Sequence, residues 1–417
     1  MRWPGQIYDG EAARKKYTSQ IVETANKLSV KLDLASAPIY SENEAQAWLA
    51  QAATTKPDGL LVVLLDRQAH AWPTAYTAAE SGIPTVVFSP VGTAFTSNTS
   101  PLAEKPACFV CSTDDFRQVQ FGMKMLHARA KMRATRCLVI RGSQRLDVEM
   151  PQLGIGLRYI PAATFLDEYH KMPVDQEIET LAKELIQGAR QMRGATNQDV
   201  INGIKSYVVA RTLLERENAD AITMDCLGAL GPSKVSLPCI AWSKMNDDGI
   251  PAACEADLGA MASHIMVQYL FDRPGFQQDP VPETAKQAII GAHCSCPTKL
   301  DGFSADSEPY DIVHHHGARD ATRRTLWKKG QRVTSVDVIV DEANKKPPSH
   351  VLISTGEVLE NISAPPAGGC VVSVMVKFDG GTNVLAYPGF HQVWFYGDHG
   401  RELTDFCRLM NVKSIRA

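Results

Sequence analysis

The chain has 417 residues and a formal net charge of −3, from 43 Lys+Arg and 46 Asp+Glu. Its 44% hydrophobic and 21% charged residues are ordinary for a globular protein and exclude disordered, collagenous and coiled-coil classes. No apolar run approaches the roughly 18–20 residues that span a bilayer. No block of like charge indicates nucleic acid or a membrane surface, so a small molecule is the expected partner.

The ten cysteines are scattered, and several lie in apolar runs, as reduced core thiols do. Cys108 and Cys111 form an isolated CxxC, which favours core thiols over a zinc site. The first residues contain no apolar segment of the signal-peptide type, so we expect a cytoplasmic protein.

Residues 1–112 are predicted to form an N-terminal α/β domain, because helical periodicity alternates with buried apolar runs. The predicted elements are a helix at 17–28, a short strand at 31–34, a helix at 42–53, a strand at 59–65, a helix at 73–81 and a strand at 82–88. The pattern begins with a helix, so a first strand is expected to be missing upstream.

Residues 113–272 repeat this alternation and are predicted to form a second α/β domain. The predicted elements are a helix through 123–126, strands at 136–142, 219–226, 238–243 and 250–255, and helices at 176–193 and 258–271. Asn197 or Asp199 is expected to cap a further helix that continues through Leu214, and Asp257 is expected to open the last one.

Residues 273–417 change character, since apolar residues now alternate with period two. The segments 331–340 and 371–378 are typical of antiparallel strands, and a helix at 402–410 leads into a terminal strand. The predicted fold class is therefore α/β, with two doubly wound parallel-sheet domains and a C-terminal antiparallel, barrel-like domain.

Candidate chemistry lies at the ends of these elements, because the sequence contains no GxGxxG, P-loop, GxSxG or HExxH motif. Glu255 follows an apolar strand, where a carboxylate needs a cation, a donor or water. Asp279 precedes a proline, His293 ends a strand, and His391 enters an aromatic strand. Two oxygen and two imidazole ligands suit Mn²⁺ or a similar divalent ion.

Four segments together resemble the L-fucose/L-arabinose isomerase fold family, especially its shorter fucose-isomerase-like members. They are "CEAD" (254–257), "FQQD" (276–279), "GAHC" (291–294) and "GFHQVWFYGDHGRELTDFCRLMNV" (389–412). The resemblance implies that Glu255, Asp279, His293 and His391 hold Mn²⁺. Either Gln278 or Asp279 could take the second acidic position of the family, and the choice decides whether a ligand carboxylate is kept.

The resemblance implies an aldose–ketose isomerase that acts on a free sugar through a cis-enediol. Glu255 or Asp279 would carry the proton between C2 and C1, while the metal stabilises the enediolate oxygens. A lyase or epimerase on the same site, a non-catalytic sugar-binding protein and a degenerate family member remain alternatives. Family members are homo-oligomers, so a trimer or hexamer is expected.

Five further residues are expected to contact the substrate. They are Asp225, Lys244, His314, His315 and His316. The triple histidine has no counterpart that we can map onto the sugar isomerases, and it could indicate a different substrate.

Overall fold

The computed structural model describes residues 9–66, 71–233, 235–315, 321–340, 350–363, 370–381 and 383–417. The chain divides into two compact units, residues 1–131 with 404–412 and residues 132–403 with 413–417. The three-domain division expected from the sequence stays a prediction.

The helices alternate with the strands over the first two thirds of the chain. They are α1 (Gly10–Lys27), α2 (Glu42–Thr54), α3 (Trp72–Glu80), α4 (Thr96–Ala103), α5 (Phe116–Ala134), α6 (Ala163–Lys171), α7 (Gln176–Gly188), α8 (Asn197–Glu217), α9 (Cys226–Leu230), α10 (Cys239–Asp247), α11 (Leu258–Phe271) and α12 (Gly400–Leu409). Among the described residues, no helix has the length and the apolar composition needed to cross a membrane.

The strands become continuous toward the C-terminal end. They are β1 (Leu60–Val63), β2 (Thr85–Ser89), β3 (Cys108–Ser112), β4 (Arg136–Ile140), β5 (Leu146–Met150), β6 (Ile155–Ile160), β7 (Gln191–Arg193), β8 (Ala221–Met224), β9 (Ala252–Cys254), β10 (Phe276–Glu283), β11 (Ala288–His293), β12 (Tyr310–Val313), β13 (Thr322–Thr325), β14 (Arg332–Ile339), β15 (His350–Ile362), β16 (Val372–Phe378), β17 (Gln392–Tyr396) and β18 (Ser414–Arg416).

The first unit contains a parallel sheet in the order β1-β2-β3. Its strands are short apolar runs, as expected for strands covered by helices. Trp72 and Phe88 are fully buried in this unit, and the ring of Tyr17 meets Phe88 edge-on with centroids 4.8 Å apart. Cys108 and Cys111 lie buried in β3, in agreement with their interpretation as core thiols.

The second unit contains a five-stranded sheet in the order β5-β6-β4-β8-β9. Its strands are parallel except β5, which is antiparallel to β6. Helix α11 follows β9 after a three-residue turn and is buried from Leu258 to Leu270, because most of its residues are apolar around the whole helix. A smaller sheet in the same unit has the order β13-β12-β7.

The second unit also contains a closed six-stranded antiparallel barrel in the order β14-β17-β10-β11-β16-β15, which β14 closes by pairing with β15. Phe276, Trp394 and Tyr396 fill its core. Gly291 is required in β11, since a Cβ there would lie 2.6 Å from the Trp394 ring. The mixed α/β architecture and the antiparallel C-terminal region predicted from the sequence are thus confirmed.

Two hydrogen bonds fasten the barrel to the parallel sheet and its last helix. The Cys254 amide at the end of β9 donates to Gln277 Oε1 in β10 at 2.8 Å. The Val338 amide of β14 donates to Ser263 Oγ of α11 at 3.0 Å. The first bond fixes the end of β9 against β10, and β10 pairs in turn with β17.

Three local predictions are wrong. Residues 31–34 form no strand and are largely exposed, because a short alternating segment has no stability without a partner strand. Residues 238–243 begin helix α10, since a short buried apolar run does not by itself distinguish helix from strand. The predicted helix at 176–193 ends at Gly188 and is followed by strand β7.

The cap of α8 also differs from the prediction. Thr196 is the N-cap, and its side chain accepts a hydrogen bond from the Asp199 amide at 3.3 Å. Asp199 returns the interaction, because its Oδ2 accepts from the Thr196 amide at 2.8 Å. This reciprocal pair is a capping box, so Asp199 belongs to the cap without being the N-cap residue.

Candidate metal centre

The four predicted ligands come from four different strands that end near one another. Glu255 follows β9, Asp279 lies in β10, His293 is the last residue of β11, and His391 directly precedes β17. All four belong to the second unit.

Their donor atoms converge on a small region. His391 Nε2 lies 3.2 Å from Asp279 Oδ1 and 3.6 Å from Glu255 Oε2. His293 Nε2 lies 3.7 Å from the other Glu255 oxygen. One donor atom each from Glu255, His293 and His391 fits within a mutual separation of 4.8 Å. A single cation could therefore contact all three, with Asp279 beside His391.

The backbone at two of these positions is strained. Glu255 and Ala256 have φ of 63° and 55°, and His391 has φ of 57°, all in the left-handed region. Side-chain-bearing residues avoid this region unless the surrounding structure holds them there, and such residues cluster at functional sites. The sharp turn after β9 is what directs Glu255 toward the two histidines.

Asp257 plays a part in the site that the sequence analysis did not assign to it. Its Oδ1 accepts the Ala260 amide at 2.7 Å and so caps α11, as predicted, while its Oδ2 lies 3.0 Å from His391 Nδ1. A carboxylate on the outer nitrogen of a histidine fixes the ring and leaves the other nitrogen for a metal. In the sequence, the feature that could have indicated this role is the position of Asp257, a second carboxylate two residues after Glu255.

The charges around His391 strongly favour its cationic form. Burial alone lowers the pKa of His391, but Asp257 and Asp279 outweigh it and raise that pKa to about 10. A proton on His391 thus neutralises part of the carboxylate charge that a bound metal ion would otherwise neutralise. Metal and proton are expected to compete there.

The carboxyl groups of the site differ in their tendency to ionise. Burial raises the pKa of Glu255, His391 opposes the rise, and Asp279, Asp257 and Asp225 add to it. Burial, helped by Asp257, raises the pKa of Asp337 to about 7. Asp337 Oδ2 accepts the Phe390 amide at 3.2 Å, so this buried carboxyl supports the loop that carries His391.

Gln278 and Asp279 point to different surroundings. Gln278 is completely buried, and its side-chain oxygen accepts from Trp394 Nε1 at 2.8 Å in the amide orientation that satisfies both of its polar atoms. Asp279 is the residue beside His391 Nε2. Of the two residues, Asp279 is therefore the one whose carboxylate lies among the candidate ligands.

The other predicted site residues have their described contacts mainly outside the group of four candidate ligands. Asp225 caps α9 through Gly228 and is near enough to Glu255 to raise its pKa. Lys244 pairs with Asp248 at 3.0 Å and lies over the Tyr207 ring. The histidines of the triple motif come after β12, which belongs to the smaller sheet. Among them His314 and His315 are half-buried, whereas His316 lies outside the described residues.

The donor set fits a hard divalent ion such as Mn²⁺. Two carboxylates and two imidazoles provide oxygen and nitrogen ligands, and the Asp257 carboxylate supports one of the imidazoles from outside. In comparisons with known proteins, no protein-family model and no curated protein matches the chain.

Proposed function

We propose that this protein is a metal-dependent aldose–ketose isomerase of the fucose-isomerase-like type, acting on a free sugar through a cis-enediol. The observation that supports it is the convergence of Glu255, Asp279, His293 and His391, with Asp257 hydrogen-bonded to the outer nitrogen of His391. Such a set combines a divalent-ion site with carboxylates placed for proton transfer.

In this proposal Glu255, Asp279, His293 and His391 hold Mn²⁺. When bound, the ion polarises the sugar carbonyl and stabilises negative charge on the neighbouring oxygen. The hydroxyl and carbonyl oxygens of an open-chain sugar are hard ligands, which suit the same ion.

Glu255 is proposed to carry the proton, with Asp279 as the alternative. Burial raises the pKa of Glu255, and this brings its basicity closer to that needed near neutral pH. In the aldose-to-ketose direction the carboxylate takes the C2 proton, and the C1 carbonyl oxygen gains a proton to give the enediol. The same carboxyl group then returns its proton to C1 while the O2 hydroxyl loses its proton to form the new carbonyl.

Several finer features belong to the same proposal. The α/β regions would form two doubly wound domains, 1–112 and 113–272, followed by the barrel domain 273–417. The protein would be a cytoplasmic homo-oligomer, a trimer or hexamer. Asp225, Lys244 and the histidines at 314–316 would contact sugar hydroxyls.

The first test is the metal content of the purified chain. Wild-type protein incubated with Mn²⁺ and desalted should retain about one ion per chain, and His391→Ala should lose it. His170→Ala, on the exposed side of α6, is a matched control that should retain the ion. Wild-type protein that stays metal-free after this incubation would contradict the proposal.

The second test identifies the reaction. Loaded protein is incubated with a panel of aldoses and ketoses in D₂O, and the products are separated and analysed by NMR. Isomerisation with deuterium entering at C1 of the ketose supports the enediol route. Carbon–carbon cleavage would instead indicate a lyase, and inversion at one carbon would indicate an epimerase. Saturable binding without turnover would indicate a sugar-binding protein.

A further inference from the structure

A second group of possible metal ligands lies behind His293, on the side away from the carboxylates. Cys254, the last residue of β9, and Cys294, which follows β11, bring their thiols close to this histidine. Cys294 Sγ lies 3.4 Å from His293 Nδ1, and Cys254 Sγ lies 3.1 Å from Ser295 Oγ. The two sulfurs and one ring nitrogen fall within 4.8 Å of one another.

All three members of this group are shielded from solvent. Cys254, His293 and Cys294 are 1%, 2% and 6% exposed. The Cys239 thiol is also in hydrogen-bond contact with Cys294, so a third sulfur adjoins the group. A single buried cysteine behaves as a small apolar side chain, but converging sulfurs and an imidazole form a ligand set.

We propose that Cys254, Cys294 and His293 Nδ1 form a binding site for a thiophilic divalent ion such as Zn²⁺. Sulfur and imidazole nitrogen are the ligands that zinc takes in closed structural sites. Charge supports this choice, because two thiolates balance a 2+ ion and a neutral site is the one that a buried environment tolerates. Binding replaces the two thiol protons, which leave to solvent.

This site is separate from the proposed manganese site but shares His293 with it. The Nε2 atom of His293 faces Glu255, and its Nδ1 atom faces Cys294. A neutral imidazole offers one nitrogen to a metal while the other keeps its proton. Loading the thiol site therefore removes His293 from the manganese ligands, so a thiophilic ion should weaken Mn²⁺ binding without occupying the same position.

The test uses Cd²⁺ as the probe on the full-length, metal-free chain under reducing and oxygen-free conditions. Wild-type protein should develop the ultraviolet charge-transfer band of cadmium–thiolate bonds and saturate near one equivalent. Cys254→Ala and Cys294→Ala should each lose most of the band. Cys137→Ala, which removes a fully buried thiol of β4, is the matched control and should keep it.

Two further measurements keep the inference independent of variant folding and of the proposed isomerase. The ¹¹³Cd NMR shift of wild-type protein should be that of a sulfur-rich site, and a shift typical of oxygen and nitrogen ligands alone would overturn the inference. Glu255→Gln and His391→Ala should keep the cadmium–thiolate band. Wild-type protein that shows this band but binds no Mn²⁺ would overturn only the proposed function, whereas a missing band in wild-type protein that does bind Mn²⁺ would overturn only the thiol site.

Discussion

His391 Nδ1 lies 3.0 Å from Asp257 Oδ2, while the other oxygen of Asp257 accepts the Ala260 amide at the start of α11. One carboxylate thus both starts a buried helix and orients a histidine from the barrel. The position of the imidazole is consequently set by the same contact that fixes the helix end. This arrangement leaves His391 Nε2 directed toward Asp279 and Glu255.

Asp257→Asn is expected to weaken Mn²⁺ binding by about 10–100-fold, the range typical for loss of an outer-shell partner of a ligand histidine. An asparagine still caps a helix well, so the free energy of unfolding should change by less than about 1 kcal/mol. Isothermal titration with Mn²⁺ and urea unfolding measure the two quantities.

Asp175→Asn is the control for that experiment, because Asp175 caps α7 in the same way, through the Ile178 amide at 3.0 Å. It should leave Mn²⁺ affinity unchanged. Equal affinities for Asp257→Asn and wild type would show that the contact with His391 has no bearing on the metal.

Asp279→Asn should lower Mn²⁺ affinity, because it removes the charge of a proposed ligand. The loss should be at least as large as the about 10–100-fold that follows the loss of an outer-shell partner. Gln278→Ala, one residue earlier, should leave the affinity within a few-fold of wild type. It should instead lower thermal stability, since the buried Trp394 Nε1 loses its acceptor on Gln278. If Gln278→Ala lowered the Mn²⁺ affinity and Asp279→Asn did not, the choice of Asp279 as the ligand would be wrong.

Glu255 and His293 could be singled out from the sequence because each stands at the end of an apolar strand, whereas Asp279 lies within β10 and His391 directly before β17. The strand β14 was predicted from the alternation at 331–340, but its pairing with β15, which closes the barrel, is a contact that periodicity does not encode. The double role of Asp257 was not predictable either. It depends on where the second oxygen of one carboxylate points, which only the packed structure determines.

The segment at 238–243, which was predicted to be a strand, also shows that a local pattern does not determine the structure. Its residues are buried in α10 with no polar face, so the sequence lacks the period that separates a helix from a strand. The helix is determined by tertiary contacts instead. Ser243 Oγ, for example, donates to the Cys296 carbonyl and accepts from Arg323 Nε at 2.8 Å.

Asp247, at the end of α10, is expected to be a major source of stability in the second unit. It is buried and accepts hydrogen bonds from the Thr298 amide at 2.7 Å and the Lys299 amide at 2.8 Å. It also pairs with Arg323 at 2.7 Å. Asp247→Ala leaves a buried guanidinium without its carboxylate, so the free energy of unfolding should fall by about 3–5 kcal/mol.

The comparison for Asp247→Ala is Asp301→Ala, which breaks an exposed ion pair with Lys328. That change should cost no more than about 1 kcal/mol, because solvent screens exposed pairs. Urea unfolding of both variants at neutral pH measures the difference. Similar costs for the two variants would mean that Asp247 is not a specially important contact.

Asp337→Asn should change how stability depends on pH in the metal-free protein. Burial, with a contribution from Asp257, raises the pKa of Asp337 to about 7, whereas an unfolded aspartate titrates near pH 4. Between these values the unfolded chain has released its proton and the folded chain has kept it. Stability contributed by the neutral carboxyl is therefore full below about pH 4, declines as pH rises, and is lost above about pH 7.

The asparagine variant stays neutral in both states and lacks this decline. Relative to wild type it should gain stability from pH 4.5 to pH 7.5, by a few kcal/mol at most for a shift of this size. Urea unfolding at pH 4.5, 6 and 7.5 measures the gain, and Asp306→Asn at an exposed position should show none. If the difference in the free energy of unfolding between Asp337→Asn and wild type stayed constant across this range, Asp337 would already be ionised in the folded protein. The loop that carries His391 would then be supported by a buried charge rather than by a neutral carboxyl.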